Sequence, residues 1–108
     1  MGPEAFIEKK AVERAKAKGG HTFKLTSPNN AGIPDRAFCH VNCGPFLIEF
    51  KAKGKRLSEL QALVCKDLAR YGWRVYANVD SVKMAWDIID DEFSGACTRR
   101  HEPMDGCE

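Results

Sequence analysis

Five polar side chains occupy positions where an apolar group would pack better: Glu4, Asp35, Glu49, Lys51 and Gln61. Glu49 and Lys51 lie within GPFLIEFKAKGKR (44–56), where Phe46, Leu47, Ile48 and Phe50 read as a buried strand. Side chains alternate across a strand, so Phe46, Ile48 and Phe50 share one face while Leu47, Glu49 and Lys51 share the other. Glu49 and Lys51 then stand about 7 Å apart along the strand, close enough to reach one small ligand. Asp35, in GIPDR (32–36), opens a strand expected to pair with this one, at the end that carries Glu49 and Lys51. Burying unpaired charge costs several kcal/mol per ion, so a purely stabilising core would not select such a set. A divalent cation would, because hard ions such as Mg²⁺ take carboxylate oxygens and keep several waters. Asp35, Glu49 and Glu4 with Lys51 leave a net charge of −2 to meet an ion of +2. The lysine is then available to a water nucleophile or a phosphate oxygen. Taken alone, Glu49 and Lys51 read as an ordinary strand ion pair; Asp35 and Gln61 tip the reading towards a site.

Seven elements must position these residues. Residues 3–18 read as a helix that starts at Pro3, whose missing N–H costs nothing in a first turn, and stops at Gly19-Gly20. Strands are expected at 21–25, 33–41 and 45–51, the last two joined through NCG (42–44) as an antiparallel hairpin. A helix over 56–72, a strand over 73–79 and a helix over 81–93, with Asp80 or Ser81 as its N-cap, complete the order α-β-β-β-α-β-α. That order predicts one α/β domain over residues 1–93, a mixed four-stranded sheet flanked by helices. Residues 94–108 hold few large apolar groups and are expected to form a flexible tail. On the first helix Ile7, Ala11 and Ala15 form the apolar stripe; Glu4 and Glu8 fall on it, whereas Glu13 points away. On the 56–72 helix the expected stripe is Leu57, Leu60, Val64, Leu68 and Tyr71, with Gln61 in its middle.

At 108 residues the chain can bury one core, and 44% apolar and 30% charged content is ordinary for a soluble globular protein. A formal net charge of +2 does not by itself mark a nucleic-acid binder; the placement of charge matters more. KAKGKR (51–56) holds four positive charges and no negative one, and DIIDDE (87–92) holds four negative charges. The five cysteines are odd in number and follow no secretory signal, which favours free thiols in a reducing cytosol. Neither Cys39 with Cys43 nor Cys97, His101 and Cys107 has the spacing of a structural zinc site. Trp73, Tyr76 and Trp86 are expected in the core or at an interface. The last helix carries two apolar stripes, Met84 with Ile88 and Val82 with Ala85 and Ile89, and is a candidate dimer surface. No apolar run approaches the roughly 20 residues that span a bilayer.

GIPDR, then FLIEFKAKG, then the glutamine of LSELQ resembles the PD-(D/E)XK nucleases, and more narrowly the virus-type replication-repair nuclease (VRR-NUC) domain. The resemblance covers roughly residues 4–90 and takes in Glu4, the Gly19-Gly20 break and GWRVYANVDS. A PD…ExK pair recurs by chance; the full ordered set is what carries the resemblance. It implies a restriction-endonuclease-like core and hydrolysis of DNA phosphodiester bonds dependent on Mg²⁺ or Mn²⁺. Asp35 and Glu49 would be metal ligands, with the main-chain carbonyl of Phe50 as another and Glu4 (or Glu8) completing the shell. Lys51 would orient the attacking water and stabilise charge on the phosphate, and Gln61 would support the site from its helix. Small stand-alone members of this family, phage and bacterial, are similar to Holliday-junction resolvases, which implies a cytoplasmic homodimer that cuts branched DNA. A two-fold dimer matches the near two-fold symmetry of a four-way junction. Lys53, Lys55 and Arg56, with Arg36 beside Asp35, are placed to hold the phosphate backbone without base readout. A nickase or a flap- or end-processing nuclease is the neighbouring expectation. A non-catalytic DNA-binding module is the alternative from another class, and the joint presence of Asp35, Glu49 and Lys51 argues against it.

Overall fold

Alternation along one strand divides the molecule into layers. A computed structural model describes residues 1–26 and 31–95. In chain order the elements are α1 (Pro3–Ala17), β1 (His21–Lys24), β2 (Arg36–His40), β3 (Cys43–Phe50), α2 (Glu59–Arg70), β4 (Arg74–Val79) and α3 (Val82–Phe93). Phe46, Ile48 and Phe50 of β3 are fully buried and join Phe38 of β2 and Val79 of β4 in the main core. Ile7, Ala11 and Ala15 of α1 and Ala85, Ile89 and Phe93 of α3 close that core from one side. Leu47 and Glu49 point to the opposite side, where α2 lies, as the alternation predicts. The sheet runs β1-β2-β3-β4, antiparallel except for the parallel pair β3 and β4, so it is mixed. A parallel neighbour needs a crossover, and α2 supplies it.

Local chemistry moves several boundaries. The β2–β3 turn falls at Val41–Asn42, so Cys43 and Gly44 belong to β3 and not to the connection. Strand β2 begins at Arg36, not 33, because the chain turns at Ala31–Gly32, where Gly32 is left-handed (φ 93°), and Pro34, buried after that turn, has no N–H to give to a ladder. Helix α2 begins at Glu59, not 56, because Ser58 caps it: its Oγ accepts the Gln61 N–H. Ser81 does the same for α3, accepting the Met84 N–H.

Two expectations about helix faces are corrected. On α2 the inward side is Gln61, Val64, Cys65 and Leu68, while Leu60 is 47% and Tyr71 73% exposed. The helix packs over β4 and covers only part of its sheet face, so the apolar stripe that amphipathicity predicts is not fully used. The remainder of that face is a groove of about 400 Å³ lined by Phe23, Leu25, Ile33, Ala37, Leu47 and Trp73, among others. On α3 most of the apolar residues expected to form a dimer surface turn inwards: Ala85 and Ile89 are in the core and Val82 and Ile88 pack against it, while Met84 stays 42% exposed.

The acidic run at 87–92 separates into distinct ion pairs. Asp87 meets Lys83 (2.7 Å), and Asp90 forks onto Arg14 (3.0 and 2.7 Å), tying α3 to α1. Glu92 is 0% exposed and receives Arg74 at 2.8 Å and the Tyr76 hydroxyl at 2.6 Å. Arg74 also donates to the Gly44 carbonyl (2.9 Å), which joins α3, β4 and β3 through one guanidinium. Cys39, Cys43 and Cys65 are free thiols. The expectations for Cys97, His101, Cys107 and the rest of 96–108 lie outside the described residues. Among the described residues no helix is long and apolar enough to cross a membrane.

Candidate active site

Asp35 stands just before β2, and its main-chain carbonyl accepts the Leu25 N–H (2.9 Å), which holds it in line with β1. Its side chain turns to β3, where Oδ2 accepts the Phe50 N–H at 2.9 Å. That bond sets one carboxylate beside the next, since Glu49 is the preceding residue. Glu49 is 2% exposed. Its Oε2 accepts from Gln61 Nε2 at 3.0 Å, while its Oε1 is buried and has no hydrogen-bond partner among the described residues.

The electrostatics follow from this crowding. Burial, then the Asp35 carboxylate, pushes Glu49 up to about 7, against the pull of Lys51. Burial also raises Asp35; the Phe50 N–H opposes this, and Glu8 and Glu4 add to it. Two carboxylates that resist ionisation side by side, one with an orphaned oxygen, are matched to a cation that would relieve both. The donor set therefore fits a hard divalent ion, although among the described residues no three carboxylate, imidazole or thiol groups gather closely enough to hold one. Asp35 and Glu49 are the pair; Glu4 acts on both electrostatically from the first turn of α1 without joining them in a ready three-ligand set.

Glu8 is otherwise engaged. Its carboxylate receives Arg36 Nε at 2.6 Å and Lys24 Nζ at 3.0 Å, so its charge is already balanced by two cations. Arg36 is correspondingly committed, its side chain only 19% exposed and a second bond reaching Thr22. It does not stand with the other basic residues expected to face a phosphate backbone. Lys53, Lys55 and Arg56 are exposed and pair with no carboxylate among the described residues. They follow Lys51 on a turn closed by the Lys55 N–H on the Ala52 carbonyl (3.0 Å), with Gly54 at φ 86°. Lys51 is partly buried; its N–H donates to the Val79 carbonyl (2.9 Å), and its ammonium acts on Glu49 while forming no ion pair among the described residues.

One contributor escapes the search for polar residues on apolar faces. Ser58 forms a capping box with Gln61, the same glutamine that holds Glu49. The Ser-x-x-Gln spacing of SELQ is a readable signal for it. Gly32 has a part as well: a Cβ there would lie 3.1 Å from Leu60 and Val64 of α2. The bare glycine lets the loop that carries Asp35 close against the helix that carries Gln61.

No family model matches the sequence, and no curated protein matches it either. Among solved structures, one described as a VRR_NUC domain superposes with a TM-score of 0.74 at 23% identity, over 83% of this chain and 97% of that one. At that identity the likeness speaks for the fold. With the layers, strand order and helix placement described above, the chain has the α/β fold of a VRR_NUC domain.

Proposed function

We propose that the protein is a metal-dependent DNA endonuclease whose site is built on Asp35, Glu49 and Lys51. The observation that carries this reading is the buried Oε1 of Glu49, without a hydrogen-bond partner among the described residues, beside the Asp35 carboxylate. Asp35, Glu49 and the Phe50 carbonyl would hold Mg²⁺ or Mn²⁺, with Glu4 adding negative charge from α1. The ion would supply an activated water and offset the charge that develops on a phosphate. The chain's own residues do the rest. Gln61 fixes Glu49 by holding Oε2. Lys51, which directly follows β3 and acts on Glu49, orients water or a phosphate oxygen. Lys53, Lys55 and Arg56 hold the sugar-phosphate backbone, a contact that carries no sequence preference.

The finer part of the proposal is a homodimer acting on branched DNA. The apolar groove beside α2 favours it: a face lined by Phe23, Leu47 and Trp73, with no charged group among the described residues, is suited to a protein surface and not to a phosphate backbone. The test is cleavage of an end-labelled four-way junction beside flap and linear duplex, with Mg²⁺ or with EDTA. Paired symmetric cuts that require metal are expected. Cutting of flaps or duplex alone would retain the nuclease and remove junction resolution.

A further inference from the structure

The N-cap of α2 is wired to the central carboxylate. Ser58 Oγ accepts the Gln61 N–H at 3.1 Å, and the Ser58 N–H donates to Gln61 Oε1 at 2.9 Å. The second bond decides which way the amide faces. With Oε1 taken by a backbone donor, Nε2 is turned outwards, and it meets Glu49 Oε2 at 3.0 Å. A flipped amide would put an NH₂ group against the Ser58 N–H and an oxygen against a carboxylate oxygen, so both contacts would be repulsive. The chain Ser58–Gln61–Glu49 therefore allows one arrangement, in which Oε2 is engaged and Oε1 has no partner among the described residues. The same chain closes a loop: residues 51–58 leave β3 two positions after Glu49 and return to it through Gln61.

We propose that Ser58 is a positioning residue for Glu49, acting through Gln61 to hold Oε1 ready for a cation. This rests on the reading of Asp35 and Glu49 as a cation-binding pair. Ser58 makes no contact with that ion and has no catalytic role of its own. A cap that served only helix stability would be interchangeable with the cap of α3, where Ser81 accepts the Met84 N–H at the same 3.1 Å and has no side-chain hydrogen bond to a site residue among the described residues.

That symmetry supplies the control. Mn²⁺ binding is titrated by the loss of the free-ion EPR signal, and thermal unfolding is followed in EDTA, for wild type, S58A, S58T, S81A, Q61A and S58A/Q61A. Losing either serine cap is expected to lower the midpoint by about 4–8 °C, the shift that loss of a typical cap produces in a domain of this size. Of the two cap losses only S58A is expected to weaken Mn²⁺ binding, by about tenfold, as loss of an outer-sphere partner does, and Q61A weakens it at least as much. S58T restores it, S81A leaves it unchanged, and S58A/Q61A binds no more weakly than Q61A, since both changes act on one chain of bonds. Unchanged Mn²⁺ affinity in S58A, or an equal loss in S81A, would overturn the positioning role while leaving the cation site standing. A wild type that binds no Mn²⁺ would overturn the cation site itself, and this role with it.

Discussion

Glu49 concentrates the physics of the site. It is a carboxylate with less than one-twentieth of its surface exposed, held by one amide and crowded by a second carboxylate. In the metal-free protein this has a measurable consequence for stability. Glu49 is raised from an ordinary 4.5 to about 7 on folding, and Asp35 is raised in the same direction. Between those values the folded chain keeps protons that the unfolded chain has released. Stability is therefore greatest below the unfolded values and falls as pH rises towards 7, by at most about 1.4 kcal/mol per pH unit for each proton held. Thermal midpoints measured in EDTA should decline from pH 5 to pH 7.5, and Glu49→Gln, which cannot ionise, should flatten most of that slope. A wild-type midpoint that rises over this range would contradict the assignment. Added Mg²⁺ should recover the loss at pH 8 in wild type and not in the variant.

At the scale of elements, helices are fastened to the sheet by a few polar bonds as much as by area. Arg14 forks onto Asp90 and lies 4.5 Å over the Trp86 ring, and the Trp86 indole donates to the Lys10 carbonyl, so α1 and α3 are tied into one layer. Glu92 and Arg74 do the same for α3 and the sheet, but inside the protein. Removing one partner of a buried pair leaves the other uncompensated, so Glu92→Ala should cost about 3–5 kcal/mol in denaturant unfolding, far more than Asp87→Ala at the exposed Lys83 pair. A cost of under about 1 kcal/mol would mean that water reaches Arg74.

These same elements mark what was legible in the sequence. Period-two alternation along 46–51 separated core from site, because β3 is central and both its faces are specified. Ile7, Ala11 and Ala15 were legible because α1 lies flat on the core. The stripe on α2 was misread because amphipathicity records which side chains are apolar, not how much sheet the helix covers. Arg36 looked like a phosphate contact because its sequence neighbours are Asp35 and strand residues; its partner Glu8 is 28 positions away in the chain. Glu92 was hidden in an acidic run that has the composition of a solvated surface, though it continues the inward spacing of Ala85 and Ile89.

At the scale of the whole molecule, a basic turn and an exposed apolar groove stand on separate elements. Basic residues 53–56 extend from the strand that carries the site, while Phe23, Leu63, Tyr71 and Trp73 remain exposed on the side of α2 and β1. If a second copy covers that groove, light scattering should give twice the 12.1 kDa chain mass, and Phe23→Glu should return it to one chain mass without unfolding it. A wild type that runs as a single chain at tens of micromolar would remove the dimer and, with it, paired cutting. The proposed nuclease activity does not depend on that outcome. Its most direct test is Mg²⁺-dependent cleavage of the labelled DNA panel by wild type beside Glu49→Gln, with both proteins shown to be folded. Cutting that EDTA abolishes, and that the variant lowers by at least about a thousandfold, a loss of roughly 4 kcal/mol of transition-state stabilisation, is the predicted result. Equal cutting by the variant, or none by wild type on any substrate with either Mg²⁺ or Mn²⁺, would contradict the site.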